Sequence, residues 1–186
     1  MNKFNIVIFS LLLFIFNLNK INAQDIQIEN RIFETMILNQ VSKGSTNFYV
    51  SCDRPKTFFK VESFLEQSTL KDVPKNILHE LEKKYDKYNE IKQWDCNLLK
   101  ELKLPEGFLI SDKCLASKKK KIILENTKER ITVFTISNPI FDDKKEHCIV
   151  DVVISKYKGS FQASSYILKF IYGKWVILEE FGFVIS

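Results

Sequence analysis

Histidine and glycine are scarce in this chain, and each scarcity removes a class of chemistry. Only two histidines, His79 and His147, occur in 186 residues. Neither belongs to an H-E-x-x-H pair, so a zinc centre is not expected. The five glycines, Gly44, Gly107, Gly159, Gly173 and Gly182, mostly punctuate turns. They are too scattered to build a phosphate loop or a dinucleotide fingerprint, and no nucleophile elbow occurs. The four cysteines include no C-x-x-C spacing, which removes the thiol redox motif and the zinc knuckle. No cofactor is therefore expected. No N-x-S/T acceptor is present, so N-glycosylation has no site.

What the chain does carry begins at Met1. Lys3 gives a short positive region, Ile6 to Phe16 is an apolar run broken only by Ser10, and Asn17 to Ala23 is polar and ends on a small residue. These are the three parts of a secretory signal peptide, with the cut expected after Ala23. The apolar run is roughly half of the ~20 residues that span a bilayer as a helix. An uncleaved N-terminal anchor is the alternative. No cysteine near the cut offers a lipid attachment point, and no second apolar run is long enough to span, so no transmembrane segment is expected after cleavage. Residues 24–186 then form one domain, large enough to bury about 70% of its unfolded surface. A secreted or periplasmic location follows. Losing Lys3 and Lys20 lowers the net charge from +5 to +3. That is too mild for a nucleic-acid binder.

Four cysteines in an exported chain are compatible with two disulfides. Cys96 and Cys114 flank the Pro105-Glu106-Gly107 turn and are the favoured pair; Cys52 and Cys148 each border a β-prone run and are the second. Cys148, inside an apolar strand-like run, equally suits a small buried hydrophobe.

The chain has two textures. Up to about Arg130 apolar residues recur at helical spacing. Ile28, Ile32, Phe33, Met36 and Ile37 form the face of a helix that Asp25 can cap and that runs to about Val41. Phe48 to Val50 is β-prone, and Thr57 to Gln67 suits helix or strand. Asp72 and Pro74 open a helix to about Tyr88 whose stripe holds Ile77, Leu78, Leu81, Tyr85 and Tyr88. Trp94 to Leu102 suggests another short helix. From Ile131 the spacing predicts strands over Ile131–Ser137, His147–Lys156, Phe161–Tyr172 and Lys174–Ile185, with Gly-bearing hairpin signals at Lys158-Gly159-Ser160 and Tyr172-Gly173. Cys148, Val150, Val152 and Ile154 share one face, while Ile149 and Val153 make the other partly apolar. Trp175 is expected on a strand paired with Phe161–Tyr172, its ring against core residues of the helices. The fold class is α+β, N-terminal helices covering an antiparallel sheet of about four strands.

Ser137-Asn138-Pro139-Ile140-Phe141, then Tyr166 to Phe170, Gly173-Lys174-Trp175 and a closing Ile185-Ser186 form a pattern over about 50 residues. It resembles a family of secreted bacterial proteins with an S-x-P-x-F … G-K-W ending and no assigned activity, so it implies compartment and packing, not a site. Helices preceding an antiparallel sheet also resemble the cone-shaped nuclear-transport-factor and ketosteroid-isomerase class, an analogy of fold alone.

The chemistry-bearing residues read mostly as structural. His79 lies opposite the apolar stripe of its helix and is expected in solvent. His147 and Cys148 are strand neighbours pointing to opposite faces, so they cannot form a nucleophilic pair by themselves. The acid pairs Asp142-Asp143 and Glu179-Glu180 are expected in solvent. Lys118, Lys119, Lys120 and Lys121 form the one strong charge run, a solvated loop or a contact for anionic cell-surface polymer or lipid head groups. The favoured reading is a non-catalytic domain that binds a ligand or a protein or cell-surface partner. An enzyme with a site of scattered residues and a carrier of small apolar ligands are the alternatives. A pocket holding a carboxyl or histidine of displaced pKa would favour the enzyme, an enclosed apolar cavity the carrier.

Overall fold

A computed structural model describes residues 27–40, 42–43, 48–51, 53–67, 73–85, 92–94, 122, 125–126, 132–156 and 160–185. Helix α1 spans 27–40. Strand β1 (Phe48–Val50) and the two-residue β2 (Asp53–Arg54) lead to helix α2 (Val61–Gln67) and helix α3 (Lys75–Tyr85). Strand β3 (Lys92–Gln93) pairs with β2. The main sheet is completed by β4 (Thr132–Ile136), β5 (Ile140–Phe141), β6 (His147–Lys156), β7 (Phe161–Ile171) and β8 (Lys174–Ile185).

The α+β class holds, and the four long strands lie where alternation puts them. The sheet is larger than expected and mixed. Its order is β1-β4-β6-β7-β8, β5 pairs with the start of β6, and β1 runs parallel to β4. The hairpin turn between β7 and β8 places Tyr172 (φ 48) and Gly173 (φ 80) in the left-handed region, as a two-residue type I′ connection demands.

Both faces of the sheet are covered, which gives three layers instead of two. The apolar stripe of α1 (Ile32, Phe33, Met36, Ile37) packs with Phe134, Cys148, Val150, Val152, Tyr166, Leu168 and Trp175. On the other face Val61, Phe64, Leu78 and Leu81 of α2 and α3 pack with Ile140, Ile149 and Ile167. Strand side chains alternate between faces, so β6 must be apolar on both sides to fill two cores. Trp175 pairs with Phe170 across the hairpin and is 5% exposed against α1's core, as the sequence predicts.

Thr57 to Gln67, ambiguous in sequence, divides: the chain has no regular structure to Lys60 and is helical from Val61. The Ser137-Asn138-Pro139 stretch serves as a junction. Ser137 Oγ accepts from the Asp151 backbone N–H at 2.8 Å and contacts Thr57 Oγ1, and Asn138 N donates to Pro55 O. The segment before α2 is thereby fastened to the sheet. Arg54 makes a bidentate pair with Glu29 of α1 (2.7 and 2.8 Å) and lies 4.4 Å over the Trp94 ring, whose Nε1 donates to Ile136 O.

Candidate functional site

The most distinctive polar residue on the sheet is Asp151. It sits mid-way along β6 on the α2/α3 face, between Ile149 and Val153, and opposite Ser165 of β7. Its Oδ1 accepts from Ser165 Oγ at 2.6 Å, and its Oδ2 accepts from the Phe58 backbone N–H at 2.7 Å. Alongside α2 this face is open as a pocket of ≈ 400 Å³. Asp151, Val153, Ala163 and Phe181 contribute its floor, and Phe58, Lys60, Ser63 and Gln67 its wall. Burial pushes the Asp151 carboxyl up to about 6, while the bonds from Ser165 and Phe58 pull the other way without cancelling it.

The walls are fixed from behind. Phe181 packs edge-on against Phe59 and Phe64. Gly182 N donates to Gln67 Oε1 at 2.9 Å. Gly182 has φ 65, a conformation that an L side chain adopts only under strain. Phe58 is 63% exposed at the rim, with its ring edge-on to Tyr85.

A second polar cluster lies on the α1 face. Tyr166 donates to Glu180 Oε1 at 2.8 Å and accepts from Gln40 at 3.1 Å and Lys43 at 3.3 Å; Lys43 also pairs with Glu180. Burial opposes charge on both Lys43 and Glu180, yet their mutual hydrogen bond and those with Tyr166 outweigh it. Lys43 is therefore raised and Glu180 lowered. Burial, and then Glu180 beside it, raise the Tyr166 phenol. Every member is matched within the cluster, which ties the end of α1 to the sheet.

His147 Nδ1 lies 2.9 Å from Asp142 Oδ2, and both side chains are buried. Asp142 also accepts from Glu146 N at 2.8 Å and so corrects the expectation of a solvated acid pair; Asp143 next to it is exposed and pairs with Lys84. Glu180 departs from that expectation too, through Lys43 and Tyr166. Cys148 sits on the α1 face, opposite to His147, so these two residues form no Cys–His pair. It is a free, fully buried thiol, raised well above the ordinary range by burial and then by Asp142. Cys148 thus takes the place of a small buried hydrophobe, and its suggested partner Cys52 lies outside the described residues. His79 is exposed, 3.8 Å from Glu82, as expected.

Cys52, Cys96, Cys114, Lys118, Lys119, Lys120, Lys121 and the suggested helix after Trp94 lie outside the described residues. Among the described residues no group of three His, Cys, Asp or Glu could hold a metal, and no helix is long and apolar enough to cross a membrane.

Asp151 is the residue that sequence reasoning misses. The signal is present: one acid interrupts an otherwise apolar run from Cys148 to Ile154. Period-two alternation places it with Ile149 and Val153, on the face that reads only as half-apolar. Fold and site together define an α+β protein whose sheet is covered on both faces and bears a mid-strand carboxyl in a pocket. Compared with protein families, curated proteins and solved structures, the chain matches none of them.

Proposed function

We propose that the chain is an exported, non-catalytic binding domain whose pocket over β6–β8 receives a small ligand with an apolar body and a basic amine. The observation that carries this is a single carboxyl set among Phe58, Val153, Ala163 and Phe181. A poorly hydrated carboxylate gains most from a cation that also fills the apolar space. Each carboxylate oxygen has one acceptor direction in use and another to offer. The aromatic rim provides faces for the cation's flank. The three-part N-terminal pattern supports export.

The enzymatic alternative draws on the same Asp151, since a value of about 6 suits proton transfer near neutrality. Ser165 is the hydroxyl such a reaction would use, and it already donates to Asp151. That hydroxyl–carboxyl contact is the geometry of a nucleophile beside its base and counts toward the enzyme, while the apolar lining around it counts toward a held ligand.

Calorimetric titration with 2-phenylethylamine, phenylacetate and 2-phenylethanol tests the reading. The amine should bind, the acid should not, and Asp151→Asn should weaken the amine by about tenfold or more, about 1.4 kcal/mol. Equal binding of acid and amine, or an amine affinity untouched by Asp151→Asn, would overturn it. For export, protein recovered outside the cytoplasm should begin at Gln24 by intact mass; retention of Met1 to Ala23 would remove that part.

A further inference from the structure

The Asp151 pocket has two sides of opposite chemistry, and amine binding engages only one of them. Along its wall Lys60, Ser63 and Gln67 follow one another at helical spacing. Phe64 N donates to Lys60 O at 3.0 Å, so Lys60 opens α2, and positions 60, 63 and 67 fall within about 60° of one another around the helix. All three carry donors. The Lys60 side chain is exposed and has no ion pair or hydrogen bond among the described residues, and the same holds for the Ser63 hydroxyl. Gln67 accepts the Gly182 N–H through Oε1 at 2.9 Å, which leaves its amide nitrogen as a further donor. The floor offers the reverse. Asp151 is an acceptor only, with Ser165 Oγ and the Phe58 N–H as its partners. Among the described lining residues Lys60 and Asp151 are the two charged groups; they are opposite in sign and do not pair with each other.

Opposite charges that line one hollow without touching leave room for a ligand that bears both. We infer, resting on the amine-binding reading of Asp151, that the ligand is an amino acid with an apolar side chain, its ammonium on Asp151 and its carboxylate on the wall of Lys60, Ser63 and Gln67. A plain amine leaves the three wall donors to water. A carboxylate on the same ligand supplies them with lone pairs, and its bond to Lys60 is charge-assisted. Val153, Ala163 and Phe181 then receive the side chain, and Phe58 flanks it at the rim. A hollow of ≈ 400 Å³ lies near the lower end of the about 300–1,000 Å³ typical of small-molecule sites, which suits a single amino acid. Because Lys60 is exposed, its ion pair alone contributes little. The preference for a carboxylate therefore comes from all three donors together, with Lys60 as the residue that sets its sign.

The test is calorimetric titration of the purified protein at pH 7.5, where the Asp151 carboxyl, at about 6, is ionised. It compares 2-phenylethylamine with L-phenylalanine, the same molecule with a carboxylate beside the ammonium. Phenylalanine should bind about tenfold tighter. Lys60→Gln should weaken phenylalanine about threefold to fivefold more than it weakens the amine. Lys60→Glu should reverse the order, so that the amine binds tighter than phenylalanine. Asp151→Asn should weaken both ligands. Phenylalanine binding no tighter than 2-phenylethylamine in the parent, or an unchanged preference in both Lys60 variants, overturns the amino-acid assignment. The amine-binding reading survives that result as long as 2-phenylethylamine still depends on Asp151. An amine affinity indifferent to Asp151→Asn removes that reading and the amino-acid ligand with it.

Discussion

Replacing Asp151 by asparagine should leave the fold as stable as the parent at pH 7.5, or more stable. Asparagine is isosteric. Its carbonyl oxygen can accept from Phe58 N, and its amide can donate to Ser165, whose hydroxyl turns from donor to acceptor. What disappears is the cost of holding a carboxylate where burial disfavours it. The folded-state value is about 6 against an ordinary 3.8. That difference sets an upper limit of about 3 kcal/mol on the cost at neutral pH. The sign follows from linkage. Between the two values the folded protein binds more protons at this site than the unfolded chain does. Asp151 is therefore least unfavourable below pH 3.8, and its penalty grows as pH rises toward 6 and is constant above it. Other carboxyls titrate in the same range, so the informative quantity is the difference between variant and parent. Urea unfolding at several pH values from 4 to 7.5 should show the Asp151→Asn advantage rising through pH 4–6 and then level. A variant less stable than the parent at pH 7.5, or a difference that does not change with pH, would refute the reasoning.

Three further outcomes can be checked on the same material. Ser137→Ala removes the acceptor of the Asp151 N–H and should lower the unfolding free energy by about 1–3 kcal/mol, read as a lower urea midpoint at constant slope. Tyr166→Phe deprives buried Gln40 of its acceptor and should cost a similar amount, while Gln40→Met with Tyr166→Phe should recover part of it in a double-mutant cycle. Cys148 should resist alkylation by iodoacetamide in the folded protein and react on unfolding in urea, because its thiol is buried and its thiolate disfavoured; rapid labelling without denaturant would contradict that burial.

The elements with a strong period are legible in the amino-acid order alone. Ile28 to Ile37 mark α1 because the stripe is wide. The alternation in β6 and β7 marks both strands to within a residue or two. The parallel partnership of β1 with β4 is not legible, since a three-residue strand carries no period and its partner lies some 80 residues later. The expectation of one covered face fails for a related reason. Ile149, Val153 and Ile167 show a second apolar face, but no local feature assigns α2 and α3 to it rather than to α1's side. Asp142 reads as solvated from its neighbours in sequence, whereas His147, five residues on, is what draws it inward. Asp151 carries a local signal, and its meaning depends on Phe58 and Ser165, which only the tertiary fold brings to it.

Covering the sheet on both faces changes how misfolding is avoided. Where one face meets water, sliding a strand by one residue exchanges core for surface and is strongly penalised. In β6 the same slide would trade Val150 and Val152 for Ile149 and its neighbours, apolar for apolar, at little hydrophobic loss. The burden of indexing then falls on the few polar positions. A slide would separate Asp151 from Ser165 and push its carboxyl toward the packed side of α1, where it has no donor. The acid in the pocket thus also acts as a register mark for the strand that carries it. Asp151→Asn, expected to be stable once folded, would weaken that mark, and its refolding should populate slipped, aggregation-prone pairings more often than the parent.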